Sequence, residues 1–269
     1  MVTYYTIPPP KHLQKYVRFF WVFEMKHTNA EPYIYRSMAD GCTEIIFHYK
    51  GEFIELDTPG NGRQGYSLIH GQSQQYRRFI TNDDFGIFGA YLYPYASPAL
   101  FNMPAHALTN EMPDLQTLLG AEGVILEEQI MLAKTNQQRA VILSTYIEKW
   151  LLKNNVRHMP IHRSVLEVIQ KKGMVNIPKL ASDYCLSERQ FQRKFKELSG
   201  FSPKVYSRIN RFQHVMAGYG NLQQSLTHLA YDFGYYDQSH FIQDFKQFSG
   251  YTPAQYFNGR PEGVEYREA

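Results

Sequence analysis

The sequence contains the same unit twice between Leu180 and Tyr256. The stretch LASDYCLSERQFQRKFKELSGFSPKVY, which starts at Leu180, aligns with LAYDFGYYDQSHFIQDFKQFSGYTPAQY, which starts at Leu229, once one extra residue is allowed in the second copy. The aligned residues are Phe191 and Phe241, Phe195 and Phe245, Ser199-Gly200 and Ser249-Gly250, Pro203 and Pro253, and Tyr206 and Tyr256. Two copies of one unit at this spacing indicate a small supersecondary structure that is present twice.

Each copy predicts a short helix, a turn and a second helix. In the first copy Phe191, Phe195 and Leu198 follow the i, i+4, i+7 spacing of one helical face, and the second copy repeats this spacing. A residue suited to N-cap the second helix and a glycine suited to end it occur in both copies, as Ser187 with Gly200 and Asp237 with Gly250. The pattern therefore predicts a tandem helix-turn-helix.

The doublet, its SGxxP ending and its paired FxxxF cores resemble the DNA-binding region of AraC/XylS-type transcription regulators. The resemblance covers about the last hundred residues of the chain. It implies a connecting helix from about Pro203 to Ala217 and two recognition helices that enter successive major grooves about 34 Å apart. The alternative is a small helical bundle with an accidental repeat.

The solvent face of the second helix in the first copy is the first candidate DNA-contacting surface. With the phenylalanines buried, this face carries Glu188, Arg189, Gln192, Arg193 and Lys196. Arg189, Gln192 and Arg193 match the positions where the family reads base edges. Arg can grip guanine and Gln adenine in a bidentate way, and Lys196 suits a phosphate. An exposed charged face is usually only solvated, but the doublet makes base contact the better interpretation.

The corresponding face in the second copy is less charged. It carries the residues Asp237, Gln238, Ser239, Gln243 and Lys246. Gln243 stands where members of the family often carry Arg, so a strong base or phosphate contact is less expected there. The first motif is therefore predicted to supply more of the sequence specificity.

Charge and composition favour a nucleic-acid partner inside the cell. The chain has a formal net charge of +3, and residues 160–257 carry twelve Lys or Arg against seven Asp or Glu. This surplus suits phosphate contacts. Cys42 and Cys185 are too few for a disulfide framework or a four-ligand zinc site. The N-terminus has no signal-peptide core and no apolar run could cross a bilayer, so a soluble cytoplasmic protein is predicted.

Residues 1–111 predict a β-rich domain. Short runs of β-branched and aromatic residues, separated by Gly, Pro, Asn and Asp, begin at Tyr16, Tyr33, Thr43, Glu52, Tyr66, Gln75 and Gly86. Such a pattern is typical of a sandwich or small barrel. The family resemblance implies a cupin-like barrel that senses a small molecule. The predicted fold class is thus α+β in two domains, with an N-terminal all-β barrel or sandwich and a C-terminal all-α tandem helix-turn-helix.

Residues 112–153 predict a helical segment between the two domains. Val141, Tyr146 or Ile147, Trp150 and Leu151 are expected on one apolar stripe. This stripe is interpreted as a layer covering the β domain, as a homodimer seam, or as both. Residues 154–160 are polar and end in proline, which predicts a linker, and residues 161–258 are then the DNA-binding domain.

A GxGxxG run at Gly60–Gly65 invites a dinucleotide-binding interpretation. That fingerprint needs the loop to open a helix whose N-terminus receives the pyrophosphate. Here YSLIH follows and alternates like a strand, so a hairpin turn is predicted and no cofactor is expected.

Four potential metal ligands and one thiol lie near the predicted strand ends. His48, His70, Asp40 and Glu44 lack the HxH pair of metal-binding cupins, so no metal site is predicted. Cys42 has Asp40 and Glu44 beside it rather than a basic neighbour, which predicts an ordinary strand residue instead of an activated thiolate.

The sequence predicts a DNA-binding transcription regulator that is not an enzyme. Its expected partners are double-stranded promoter DNA, RNA polymerase, a second copy of the chain and a small-molecule effector. The resemblance favours activation over repression. Two alternatives stay open. In one, the β domain only dimerises or binds a partner protein. In the other, a metal-dependent cupin-type enzyme is fused to a DNA-binding domain.

Overall fold

The computed structural model describes residues 2–26, 31–56, 62–63, 65–154, 160–218, 226–258 and 262–264. Its strands are β1 (Val2–Ile7), β2 (Val17–Met25), β3 (Tyr33–Ser37), β4 (Thr43–Lys50), β5 (Ile54–Glu55), β6 (Gly62–Arg63), β7 (Ser67–His70), β8 (Arg77–Thr81), β9 (Phe85–Leu92) and β10 (Gly263–Val264). One five-stranded sheet has the order β1-β2-β9-β4-β7 and the other has the order β10-β3-β8-β5-β6.

Aromatic and aliphatic side chains fill the space between the two sheets. The ring centroid of Phe23 on β2 lies 5.8 Å from that of Tyr35 on β3, which belongs to the other sheet. Ile46, Phe79 and Ile87 are buried in the same cluster. Because successive side chains on a strand point to opposite faces, the neighbouring residues face away from this core. The N-terminal part is therefore the predicted β-rich double-layered domain.

The opposite face of the first sheet packs against helices. Phe47 on β4 and Phe88 on β9 lie in a buried cluster that also contains Leu126, Leu143 and Ile147. The helices of this middle part are α1 (Ala96–Phe101), α2 (Leu115–Leu119), α3 (Ala121–Leu132) and α4 (Asn136–Lys153). Short 3-10 helices occupy Lys11–Leu13 and Ala105–Leu108.

The predicted apolar stripe of α4 is correct at Ile147 and Trp150, which are buried, and wrong at Val141. The residues that face the interior are Ala140, Leu143, Ser144, Ile147 and Trp150, whereas Val141 is 60% exposed. Ser144 can lie on this inner face because its hydroxyl donates to the Ala140 carbonyl at 2.7 Å. A satisfied buried hydroxyl is invisible to a pattern that counts only apolar residues.

The first strand was missed by the sequence prediction. β1 pairs antiparallel with β2 along its whole length, from Val2 opposite Met25 to Ile7 opposite Phe20. The GxGxxG run does not open a helix in its described part, since β6 pairs antiparallel with β5. Gly60, Asn61 and Gln64 of that run lie outside the described residues.

The C-terminal part is helical. It contains α5 (His162–Gln170), α6 (Ile177–Asp183), α7 (Glu188–Ser199), α8 (Pro203–Gly218), α9 (Leu226–Asp232), α10 (Gln238–Ser249) and α11 (Pro253–Asn258). Of the predicted linker 154–160, Asn154 ends α4 and its side-chain amide donates to the carbonyls of Ala99 and Leu100. Residues 155–159 lie outside the described ranges. In the part of the chain that the structure covers, every helix is too short or too polar to cross a membrane.

Candidate nucleic-acid interface

The first of the two predicted recognition helices, α7, is closed at both ends by local side-chain and backbone geometry. Ser187 and Gln190 form a capping box, in which the Ser187 hydroxyl accepts from the Gln190 N–H and Gln190 Oε1 accepts from the Ser187 N–H at 3.2 Å. Gly200 ends the helix with a φ of 81°. Glycine enters this left-handed region without the steric cost of a Cβ. The start and the end of α7 are therefore both determined by residues at or next to its termini.

The apolar face of α7 is fully used inside the domain. Phe191 and Phe195 are completely buried, with ring centroids 5.6 Å apart. The Phe195 ring also packs edge-on against Tyr206 of α8, with centroids 5.5 Å apart. Leu180 and Ala181 of α6 are buried in the same cluster. Only the polar face of α7 is left to meet another molecule.

That polar face consists of the residues predicted from the sequence. Glu188, Arg189, Gln192, Arg193 and Lys196 are all exposed. Arg193 Nε lies 4.0 Å from Glu197 Oε1, and both side chains are more than half exposed. Exposed pairs of this kind contribute about 0–1 kcal/mol. The Arg193 guanidinium is therefore held only weakly by Glu197 and can donate hydrogen bonds to another acceptor instead.

The second recognition helix, α10, presents a nearly uncharged face. Gln238, Ser239, Gln243 and Lys246 are exposed. Asp237, predicted both as an N-cap and as a DNA-contacting residue, caps the helix, because its Oδ1 accepts from the His240 N–H at 2.7 Å.

Tyr236 lies two residues before the start of α10 and was not among the predicted site residues. It is 87% exposed, more than any other large hydrophobic side chain in the described ranges. Its neighbour Tyr235 is buried. The extra residue in the turn of the second repeat was the sequence feature that could have identified this position.

An ion pair locks the second motif onto the connecting helix. Arg208 of α8 donates to Asp244 of α10, with its Nε 3.0 Å from Oδ1. Asp244 is fully buried. Phe212 packs beside this pair against Phe245 and Phe248, with centroids 5.4 and 5.5 Å apart. α8 is thus held against α10 by one charged contact and two aromatic contacts.

A cavity of about 230 Å³ lies between the β-rich domain and α8. Arg18, Asp40 and Tyr91 line it from the β-rich side, and Lys172 and His214 line it from the helical side. Within the described residues the Arg18 guanidinium donates one hydrogen bond, to the Cys42 sulfur at 3.8 Å. The guanidinium carbon also lies 5.1 Å from the ring centroid of Tyr91 and 5.8 Å from that of Tyr93. An arginine has five N–H donors, which is more than this one hydrogen bond uses.

Burial dominates the acid–base properties of this cavity. Burial and the nearby charge of Glu44 raise the pKa of Asp40 to about 6, although the Tyr91 hydroxyl donates to Asp40 Oδ2 at 2.6 Å. Burial and Asp40 raise the pKa of the Cys42 thiol to about 12, so Cys42 is a neutral thiol at pH 7. Burial and Lys172 lower the pKa of His214, which keeps its imidazole neutral.

The four potential metal ligands lie in two places. Glu44, His48 and His70 line a small cavity between the sheets, where His70 Nδ1 lies 3.7 Å from Glu44 Oε1, while Asp40 lies in the other cavity, where it accepts from the Tyr91 hydroxyl. Across the residues that the structure describes, no three His, Cys, Asp or Glu side chains are arranged to hold a metal ion.

The comparisons with known proteins divide the chain in the same way. A family model described as a helix-turn-helix domain matches residues 180–259. Another, described as a domain of unknown function (DUF6597), matches residues 5–114. The HTH-type transcriptional activator RhaS of Escherichia fergusonii is 30% identical over 88 residues, which are 32% of this chain and 31% of RhaS. The match therefore spans about a third of the length of that relative.

Two solved structures align with most of the chain at low identity. An apo ToxT variant from Vibrio cholerae strain SCE256 aligns over 93% of this chain and 98% of its own, with 11% identity and a TM-score of 0.47. The AraC-like transcriptional activator CuxR aligns over 80% of this chain and 87% of its own, with 12% identity and a TM-score of 0.28. The helix-turn-helix match and the two repeats together show that residues 180–259 form a helix-turn-helix domain, which follows a β-rich N-terminal domain.

Proposed function

We propose that the chain is a sequence-specific transcription regulator that binds promoter DNA with α7 and α10 in successive major grooves. The observation that carries this proposal is the division of α7 into a fully buried aromatic face and an exposed face of Arg189, Gln192 and Arg193. A helix that presents Arg and Gln can read guanine and adenine edges in the major groove. Glu188 and Lys196 complete the proposed contact surface on this helix.

The proposed second contact surface consists of Gln238, Ser239, Gln243 and Lys246 on α10, together with Asp237 at its N-terminus. Amide and hydroxyl groups can donate to bases or phosphates, but one lysine is their only positive charge. We therefore assign most of the sequence specificity to α7, with α10 adding affinity and orientation.

Arg193→Ala is expected to weaken binding to the preferred DNA by about 1–3 kcal/mol and to relax the choice of one base pair. A bidentate contact to a base stabilises only the complex that carries the preferred base pair. Its removal therefore weakens binding to the preferred DNA and leaves binding to DNA with another base pair at that position unchanged. The matched control is Lys196→Ala, three residues further along the same exposed face, which is expected to weaken preferred and random DNA alike. Equal losses on both DNAs for Arg193→Ala would contradict the base contact.

Selection from a random duplex library by the full chain, repeated at several salt concentrations, tests the function itself. Two enriched blocks about one helical turn apart are the expected result. If no sequence is enriched by the full chain or by residues 160–269, the proposed function is wrong.

Several finer features belong to the same proposal. We place the β-rich domain at residues 1–111, the helical segment at 112–153, the linker at 154–160 and the DNA-binding domain at 161–258. Activation through RNA polymerase is favoured because RhaS is named a transcriptional activator. DNA as the partner implies a cytoplasmic protein, and we assign it no catalytic activity.

A homodimer is the proposed assembly. Its support is a set of exposed apolar side chains on the middle helices, Leu132 on α3 with Val141 and Leu152 on α4. On α4 these residues do not belong to the buried face that covers the sheet. The buried face is therefore the layer over the β-rich domain, and the exposed face is the proposed dimer interface.

The cavity at Arg18 is the proposed effector site. An incompletely satisfied guanidinium beside apolar walls, including Phe19 and Ile209, suits a small molecule with a carboxylate and an apolar body. A ligand there would contact both domains and so could change how α7 and α10 are presented, provided it binds one arrangement better.

Millimolar benzoate is expected to raise the melting temperature of the full chain, because a ligand that binds only the folded state stabilises it. Neutral benzamide, of almost the same shape, is the matched control and is expected to have a smaller effect. Arg18→Met should remove the difference between the two compounds. A difference that persists in Arg18→Met would contradict this site. If no difference occurs in the wild type, the regulator without an effector becomes the better account.

A further inference from the structure

The β-rich domain contacts both recognition helices at equivalent positions of the two repeats. α7 and α10 end at Ser199-Gly200 and Ser249-Gly250, which align in the doublet. A Cβ added to Gly200 would collide with the Gln72 side chain, and a Cβ added to Gly250 would collide with the Arg36 guanidinium. Both repeats therefore approach the β-rich domain with the same part of their structure.

At the first of these ends, the β-rich part of the chain bonds to Gly200, the residue that caps the C-terminus of α7. The Thr109 hydroxyl donates to the Gly200 carbonyl at 3.2 Å. Thr109 in turn accepts from Gln72 Nε2 at 2.9 Å, and Gln72 Oε1 accepts from the Thr43 hydroxyl at 3.0 Å. We call Thr109 and Gln72 the first anchor. It ties the end of α7 to β4 through a chain of three side chains.

At the second end, Arg36 of β3 bonds to the last turn of α10. Its Nη1 donates to the Ser249 carbonyl at 3.0 Å, and the Ala39 N–H donates to the Phe248 carbonyl at 2.9 Å. The guanidinium lies 4.6 Å from the ring centroid of Tyr76 and 4.2 Å from that of Tyr251. We call Arg36 and Ala39 the second anchor.

The second anchor is also held by the C-terminal tail. Glu262 accepts from Arg36 Nε at 3.0 Å and also pairs with Arg78. The next two residues form β10, which pairs in parallel with β3 beside Arg36. Because Arg36 is buried and bonded on several sides, its position relative to the sheet is closely determined.

Within the β-rich domain, a pair of backbone hydrogen bonds joins the segments that carry the two anchors. Asp40 follows the second anchor in the chain, and Ser73 follows Gln72 of the first. The N–H of each donates to the carbonyl of the other, at 2.8 and 2.9 Å. The distance between the anchors is thus determined inside the β-rich domain and not by the helices that they hold.

We propose that the β-rich domain sets the spacing of the two recognition helices, and hence the spacing of the DNA blocks that the protein accepts, by holding the Gly200 carbonyl just after α7 and the Phe248 and Ser249 carbonyls at the end of α10. Arg36 and Thr109 are the positioning residues. This inference rests on the proposed DNA-binding function. The competing explanation is that α8 and the Arg208–Asp244 pair determine the spacing alone.

The test uses full-length wild type, Thr109→Val, Arg36→Met and the double variant, with DNA that carries the two selected blocks separated by different spacers. Wild type is expected to prefer one spacer. In the double variant that preference over spacers one base pair shorter or longer should fall by about tenfold, which corresponds to 1.4 kcal/mol. Affinity for DNA that carries only one block should stay unchanged.

Arg78→Met is the matched control, because it removes an arginine partner of Glu262 but leaves the hydrogen bond from Arg36 to Ser249 in place. It should keep the wild-type spacer preference. If the folded anchor variants, including the double variant, also keep the wild-type spacer preference, α8 alone determines the spacing and the inference is overturned. A uniform change in affinity at every spacer would overturn it as well.

Misfolding of a variant and absence of DNA selection by the wild type have different consequences. If Arg36→Met does not fold, Thr109→Val alone decides, because valine keeps the shape of threonine and removes only the hydroxyl; an unchanged spacer preference in that variant overturns the inference. If wild type selects no DNA sequence, the failure belongs to the proposed function and not to the anchors.

Discussion

Arg208→Ala is expected to lower the free energy of unfolding by about 3–5 kcal/mol, because it leaves a buried carboxylate without its partner. Asp244 is fully buried, and Arg208 donates to it through both Nε and Nη2. His240 is a second basic group near Asp244, and its Nε2 lies 3.9 Å from Oδ1. Urea unfolding of the full chain, followed by far-UV circular dichroism, measures the loss.

Two further variants define the origin of that loss. Lys204→Ala changes an exposed residue on the same helix and is expected to stay within about 0.5 kcal/mol of wild type. Arg208→Met combined with Asp244→Leu replaces the pair by apolar side chains and should recover much of the stability, since no charge is left buried. A loss below about 1 kcal/mol in Arg208→Ala would show that water reaches Asp244 and that the pair does not hold α10 to α8.

Phe195→Ala and Phe245→Ala are expected to cost about 3–5 kcal/mol each, the usual loss for deleting a buried aromatic ring. Both side chains are fully buried and occupy equivalent places in the two repeats. Phe195 packs against Phe191 and Tyr206, and the surroundings of Phe245 are similarly aromatic. Each variant should also lose sequence-specific DNA binding, because the ring supports the helix whose outer face would contact the bases.

Thermal and urea unfolding of the two variants should give similar losses if the repeats are energetically equivalent. Phe195→Leu is the matched control, because it keeps an apolar side chain at the site and leaves a smaller cavity than alanine. If Phe195→Ala lowers the free energy of unfolding no more than Phe195→Leu does, the side chains around the site close over the cavity, and the stability of the first motif does not depend on the aromatic ring.

The helix-turn-helix repeats could be predicted in detail because their determinants are local. Ser187 and Gln190 are three residues apart, and Phe191 and Phe195 are four apart, so one or two helical turns contain both partners of each interaction. The exposure of the polar face of α7 then follows by elimination, because a helix has only one face left when the other is buried. Whether those side chains bind DNA stays a prediction.

The same local reasoning failed where polar atoms were buried or where pairing was distant. Ser144 lies on the inner face of α4, and a count of apolar residues therefore began the stripe at Val141, which is exposed, although it placed Ile147 and Trp150 correctly. Strand β1 was missed because its outer residues are largely exposed and the strand is defined by its pairing with β2.

By itself, the sequence determined the β-rich and helical division of the chain, the two repeats, their caps and their aromatic cores. Only the tertiary structure decided that Arg36 reaches the end of α10 and Thr109 the end of α7, across 213 and 91 positions of sequence. The physical reason is the range of the interactions. Capping and helical periodicity act between residues a few positions apart, so they produce a regular spacing that can be recognised in the sequence. A hydrogen bond between distant segments depends on how the whole domain packs and produces no such spacing.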